Sequence, residues 1–106
     1  MPGIGDMRNL VRQAQRLQAE LAARQQKLSE ARVEATAGGG MVRAVVNGQG
    51  ELLEFHLSPE VLEGVDSGLL EDLVVAAVHE AQAKARELAR ETMADLTGGV
   101  PPGMWP

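Results

Sequence analysis

Cysteine and tyrosine are absent from this chain of 106 residues, and Phe55 and Trp105 are its only aromatic residues. Without cysteine there are no disulfides, thiolate metal sites or thiol chemistry, which suits a reducing cytoplasm. Long apolar runs are also missing. No stretch approaches the ~18 residues of a membrane span, and no N-terminal segment pairs basic residues with a signal-type apolar run. The expectation is a soluble, cytoplasmic chain without a membrane partner. Its hydrophobic content is 44%, much of it alanine. A buried Leu or Phe contributes roughly 1.5–3 kcal/mol and Ala far less. A monomer of this composition would be marginal, and burial against a second subunit is the natural remedy.

Catalytic constellations are equally scarce. The candidates for a nucleophile and base are Ser29, Ser58 and Ser67 with His56 and His79. No G-x-S-x-G elbow organises them, so the chain reads as a non-enzyme. Two isolated histidines lack metal-ligand spacing, and Glu60, Glu63 and Asp66 form no EF-hand loop, so neither metal nor cofactor is expected. Gly48-Gln49-Gly50 begins like G-x-G-x-x-G, but position 53 is Leu53 and the segment joins two strands rather than opening a helix. A phosphate cradle needs that helix N-terminus, so a hairpin turn is the better reading.

What the chain does have is an uneven distribution of charge. Residues 1–32 carry Arg8, Arg12, Arg16, Arg24, Lys27 and Arg32 against Asp6, Glu20 and Glu30, a net +3, whereas the remainder carries 4 bases and 12 acids, a net −8. The overall charge of −5 conceals the split. An anionic partner would meet the N-terminal segment.

From Met7 to about Ala31 the apolar positions Met7, Leu10, Ala14, Leu17, Leu21 and Leu28 recur at steps of three and four, with Arg24 filling the skipped position. This is the seam of a long helix, with Asp6 as a candidate N-cap. At 100° per residue the four leucines fall within about 40° of one another, and Arg8, Arg12, Arg16 and Lys27 centre roughly 150° away. Three short runs of period near two follow: Arg32 to Ala37, Met41 to Val46, and Glu51 to Leu57. Gly38-Gly39-Gly40 and Asn47-Gly48-Gln49-Gly50 supply the turns between them. Leu53, Phe55 and Leu57 alternate with Glu54 and His56, which places His56 on a solvated face.

After Ser58-Pro59 an acidic loop leads into a second helix, from about Leu69 to Leu96, capped by Asp66 or Ser67. Its first half, to Val78, is apolar on most of its circumference and predicts burial on several sides. Its second half sets Ala81, Ala85 and Leu88 against His79, Arg86 and Arg90. Gly98-Gly99 ends the helix. Residues 1–97 then form one domain and 98–106 an irregular Gly/Pro-rich tail, where Trp105 is a possible anchor for a protein partner.

These elements predict an α+β fold: a two-layer α-β-β-β-α subunit with a three-stranded antiparallel meander and two long helices projecting beyond it. Helices of this length span roughly 37–42 Å, strands of six residues only ~20 Å. An overhanging amphipathic helix buries its stripe most simply against a second copy. A homodimer with protruding arms is expected, with Leu10, Leu17, Leu21, Leu28, Val74 and Val78 at its interface.

The arginine row has two readings. One is a solvated helix face; the other is a phosphate-binding surface. Arg8, Arg12 and Arg16 are successive i,i+4 neighbours that repel one another, arginine's planar fork grips phosphate oxygens, and the row sits where a duplex can reach it.

Motif order adds a resemblance. Gly5-Asp6-Met7-Arg8-Asn9-Leu10-Val11-Arg12-Gln13-Ala14-Gln15, Gly39-Gly40-Met41-Val42 leading to Val45-Val46-Asn47-Gly48, Pro59-Glu60-Val61-Leu62, Leu70-Glu71-Asp72-Leu73-Val74 and Pro101-Pro102-Gly103-Met104 occur in sequence. In this order the chain resembles the YbaB/EbfC family of bacterial nucleoid-associated proteins over nearly its whole length. The resemblance implies a tweezers-shaped homodimer that binds duplex DNA through projecting helices, without enzymatic activity, and that helps organise the nucleoid and influences gene expression. It implies contacts from Arg8, Arg12, Arg16, Arg24 and Lys27, joined by Lys84, Arg86 and Arg90. Glu80, Glu87, Glu91 and Asp95 on the second helix make its share smaller. The competing expectation is a dimeric adaptor whose arms or tail dock another protein, with DNA binding incidental.

Overall fold

The computed structural model describes residues 4–97; the tail expected over 98–106, with Trp105, lies outside the described residues. Helix α1 runs Ile4–Glu30, followed by strands β1 (Val33–Ala37), β2 (Val42–Val46) and β3 (Leu52–Leu57). A 3-10 turn (Pro59–Glu63), helix α2 (Ser67–Met93) and a last 3-10 turn (Ala94–Thr97) complete the order. This is the α-β-β-β-α order read from the sequence.

Helix α1 forms because Leu, Ala, Gln, Arg, Lys and Glu dominate its interior, with neither Gly nor Pro after Gly5. It begins two residues before Asp6, which therefore lies in the first turn rather than capping from outside. A carboxylate there still complements the positive end of the dipole. At the other end the Ala31 amide donates to both Lys27 O (3.0 Å) and Leu28 O (3.2 Å), tightening the last turn before the chain extends into Val33.

The sheet is antiparallel in the order β1-β2-β3. Ala35 faces Ala44 across the first ladder, while Val42 faces Leu57 and Ala44 faces Phe55 across the second, with a register shift between Val45 and Val46. The β2–β3 turn is held by buried Asn47, whose Oδ1 accepts from the amides of Gln49 (2.9 Å) and Glu51 (3.0 Å). An Asx turn of this kind lets a side chain stand in for backbone pairing.

Helix α2 starts where Asp66 accepts from the Leu69 amide at 3.2 Å. It lies over β1 and β2, and the core between them is built from Ala77, Ala81 and Ala85 on the helix and Ala35, Val42, Ala44 and Val46 on the sheet. Small side chains on both layers let the helix sit close. The helix covers only two strands. All six residues of β3 remain exposed, among them Leu52, Leu53, Phe55 and Leu57. The first half of α2 is correspondingly less enclosed than its composition predicts: Leu70, Leu73, Val74 and Val78 are partly buried against the core, whereas Leu69 and Val75 are half exposed. One chain has a single sheet face to offer the helix, so the helix's outer side has no layer above it.

The chain is elongated, with principal extents of 76 × 26 × 16 Å. Both helices run past the sheet, by unequal amounts. Gln82 of α2 still reaches the β2–β3 turn, donating to Gly50 O at 3.1 Å, so only its last two or three turns extend further. Every residue of α1 from Gly5 to Ala23 is exposed. That free stretch is an arm about 28 Å long at ~1.5 Å per residue.

Candidate nucleic-acid interface

The arm's exposed residues fall on two faces. Met7, Leu10, Val11, Leu17 and Leu21 form an uncovered apolar stripe, with Leu10 64% and Leu17 51% exposed. Arg8, Arg12 and Arg16 stand on the opposite side, at steps of four residues or about 6 Å of rise; Glu20 takes the next step, and Lys27 lies on the same side nearer the base. None of these four cations makes an ion pair with another described residue. The structure thus brings together a linear row of basic groups open to solvent, on a helix whose backbone bonds are satisfied internally.

The other four candidates are placed differently. The Arg24 guanidinium turns back to the chain's own α2, where Nη1 donates to Thr92 O at 2.6 Å. Lys84 Nζ donates to Glu34 O at 3.4 Å on β1, and Arg90 pairs with Glu87 at 2.9 Å. Arg86 stands in a cleft beside the base of the arm, lined also by Gln25, Gly48, Gln49, Gln82 and Met93. Three candidates therefore form one row at helical spacing, interrupted at Glu20 before Lys27 on the same side of the helix, and four are scattered along α2 or tied into the fold. The sequence did signal Arg24's separate status, because it occupies the apolar seam rather than the basic face.

Two features at the arm's base are invisible to motif reading. Leu28 is the arm's buried anchor, 5% exposed, and its carbonyl accepts from the Gly48 amide at 2.8 Å. Gly48 permits that approach: a Cβ there would lie 2.7 Å from Leu28 O and 2.8 Å from Leu28 Cδ2. The reverse face of the sheet carries ion pairs of its own, Arg32 with Glu54 and Arg43 with Glu34, which engage Arg32 and Arg43 away from the arm. His56, paired with Arg43 across the ladder, is exposed on that face as expected. Among the described residues no group of three or more His, Cys, Asp or Glu side chains is placed to hold a metal ion, and no helix is long and apolar enough to cross a membrane.

Such an arrangement defines a class, a small two-layer α+β subunit with a basic helix standing clear of its body. Comparison with known proteins gives the family. Residues 3–100 match the YbaB/EbfC DNA-binding family, and the chain belongs to it. It is 46% identical over 99 residues to a nucleoid-associated protein of Thermoanaerobacter pseudethanolicus, covering 93% of this chain and 89% of that one. A nucleoid-associated protein of Saccharopolyspora erythraea is 44% identical over 98 residues, covering 92% and 84% respectively. The fold is shared with a Helicobacter pylori protein of known crystal structure at a TM-score of 0.74 and 19% identity, over 92% of this chain and all of the other.

Proposed function

We propose that the protein is a homodimeric nucleoid-associated protein of the cytoplasm that binds duplex DNA through its basic helical arms. It acts as a binding protein without catalysis, contributing to nucleoid organisation and gene expression. The observation that carries the reading is the exposed row Arg8, Arg12 and Arg16, with Lys27 on the same side nearer the base, none of which pairs with another described residue. Family membership supports DNA as the partner, and the names of the relatives support association with the nucleoid. Arginines at this spacing reach successive phosphates along a groove edge and release counterions. Phosphate contacts position a protein without reading sequence, so discrimination among sequences is weak. The acidic remainder, net −8 beyond residue 32, repels DNA and confines contact to the arms.

Dimerisation is supported by what one chain leaves uncovered: the arm's apolar stripe, the β3 side chains and Val75. Large apolar side chains left uncovered on this many elements are what a subunit interface covers, and a second copy is the commonest such partner.

The test is a binding titration on unrelated duplexes across salt concentrations, with an Arg8→Ala, Arg12→Ala, Arg16→Ala triple variant of confirmed helicity. Each lost phosphate contact lowers the slope of log K against log salt by about 0.9. The expected decrease is roughly 3 if one arm engages and 5 if both do. An unchanged slope and affinity would show that the arm is not the contact surface and would favour the adaptor reading.

A further inference from the structure

We infer that Arg24 is a positioning residue rather than a DNA ligand: it is the strut that fixes the direction of the basic arm relative to the body. The inference rests on the DNA-binding reading only for its effect on affinity; the mechanical part stands on geometry alone.

The arm is fastened to the body within a single helical turn. Its lower attachment is Leu28, buried against Gly48 with the 2.8 Å backbone bond between them. The upper is Arg24, one turn earlier, reaching Thr92 O at 2.6 Å. A longer bond, from Gln49 Nε2 to Gln25 O at 3.5 Å, lies between them. From Gly5 to Ala23 every residue is exposed. A rigid rod held at one point can pivot, and a second point of attachment sets its angle.

The chemistry of the upper point suits that role. Thr92 lies in the last turn of α2, where the α-helical bonding gives way to the 3-10 turn Ala94–Thr97 and the Ala94 amide bonds Glu91 O. The end of the helix carries partial negative charge, so a guanidinium donating there satisfies a carbonyl and complements the dipole together. One Arg therefore closes the C-terminal end of α2 and ties it to α1. It also explains an arginine in the leucine seam: the seam from Leu10 to Leu21 is open to a second copy, and Arg24 ends it by turning to its own chain.

The leverage is large. A swing of about 20° at Arg24 moves the tip of a 28 Å arm by roughly 10 Å. That is about a Debye length at physiological salt, enough to take Arg8 out of register with a phosphate that Arg16 still reaches. A loosened arm keeps its cations and loses their alignment, so affinity falls in proportion to the fraction of arms correctly aimed.

The experiment joins an internal distance to a salt titration. Because the chain has no cysteine, Gln13→Cys on the arm and Glu63→Cys on the body, both exposed, accept a pair of spin labels. Doubly labelled chain diluted with unlabelled chain reports the arm-to-body distance by pulsed electron paramagnetic resonance. Arg24→Ala is expected to broaden or shift that distribution and to weaken duplex binding about five- to tenfold, with the slope of log K against log salt unchanged. Arg24→Lys, which retains a cationic donor, is expected to restore both. Alanine is a better helix former than arginine, so loss of α1 helicity does not confound the comparison. An unaltered distance with a slope lower by about 0.9 per arm would make Arg24 a phosphate ligand and overturn the inference. Unchanged distance and affinity would overturn it as well. If the unsubstituted protein failed to bind duplex, the DNA reading would fall, while the distances would still decide whether Arg24 is a strut.

Discussion

Substituting Gly48 by alanine isolates how the arm is seated. Gly48 is not among the positive-φ glycines, so its backbone is open to any residue and the penalty for a side chain is steric. The added Cβ would stand 2.7 Å from Leu28 O, 2.8 Å from Leu28 Cδ2 and 3.0 Å from Leu28 Cα. Two of those atoms belong to helix backbone, so relief requires moving the base of α1 away from the turn. That movement weakens a hydrogen bond with a net value of about 0.5–1.5 kcal/mol and exposes part of a leucine whose full burial contributes roughly 1.5–3 kcal/mol. The expected destabilisation is about 2–3 kcal/mol. Gly50→Ala is the natural control. Its φ is +85° with nothing within 4 Å of the new Cβ, so it bears only the conformational cost, about 1–2 kcal/mol. Urea unfolding of both variants at matched protein concentration measures the difference, with Gly48→Ala lowering the midpoint by about 1–2 M at a typical m-value. In a Leu28→Ala background, removal of the Cδ2 clash makes the Gly48 substitution cheaper by about 1 kcal/mol as a coupling energy. If Gly48→Ala costs no more than Gly50→Ala, the close approach is not what seats the arm and the reasoning fails.

Other elements give shorter tests. Ala81 is fully buried where α2 meets the sheet, so Ala81→Leu overpacks the layer and is expected to cost about 1–3 kcal/mol; thermal unfolding that shows no loss would mean the layers have slack. The Arg32–Glu54 pair is exposed, with side chains 57% and 43% accessible, so Glu54→Gln is expected to cost under about 1 kcal/mol and to leave duplex affinity undiminished. Ser58 Oγ is buried without a hydrogen-bond partner among the described residues, so Ser58→Ala is expected to be neutral or mildly stabilising by denaturant midpoint, because an orphaned buried hydroxyl contributes only its desolvation cost. Phe55→Glu places a charge among the exposed apolar residues of β3; sedimentation equilibrium is expected to show weaker self-association, and an unchanged association constant would remove β3 from the interface.

Periodicity made the elements legible. The leucine spacing of α1, the alternation of Leu53, Phe55 and Leu57 with Glu54 and His56, and the turn chemistry of Asn47 and Gly50 each have one local solution, and the structure adopts it. Burial on α2 was less legible. A nearly all-apolar surface from Leu69 to Val78 states that the helix meets several neighbours, but one chain supplies a single sheet face, so Leu69 and Val75 stay half exposed. The candidate site divided along the same line. The row Arg8, Arg12 and Arg16 follows from helix geometry alone. The placements of Arg24 against Thr92, Lys84 against Glu34 and Arg90 against Glu87 depend on how elements pack or on which of two local partners is chosen. Gly48 read as a turn glycine, and its contact with Leu28 spans twenty residues that no local pattern connects.

The same economy of side chains explains why the molecule separates scaffold from arm. Alanine at positions 77, 81 and 85 brings α2 close to the sheet, yet alanine covers little area and cannot extend the core over β3. Larger residues on α2 could reach β3 but would lift the helix from Ala35 and Ala44. The chain therefore holds two strands tightly and leaves the third with its apolar residues presented. A second copy seated on β3 would complete the core without enlarging any side chain. It would also set a second arm in fixed relation to the first. Two arms so fixed would bind a duplex with an effective local concentration that one arm lacks. On the proposed reading, weak, non-specific phosphate contacts on each arm would then combine into useful affinity only if both arms kept their direction, which would make the stiffness of the arm's base as consequential for binding as the arginines themselves.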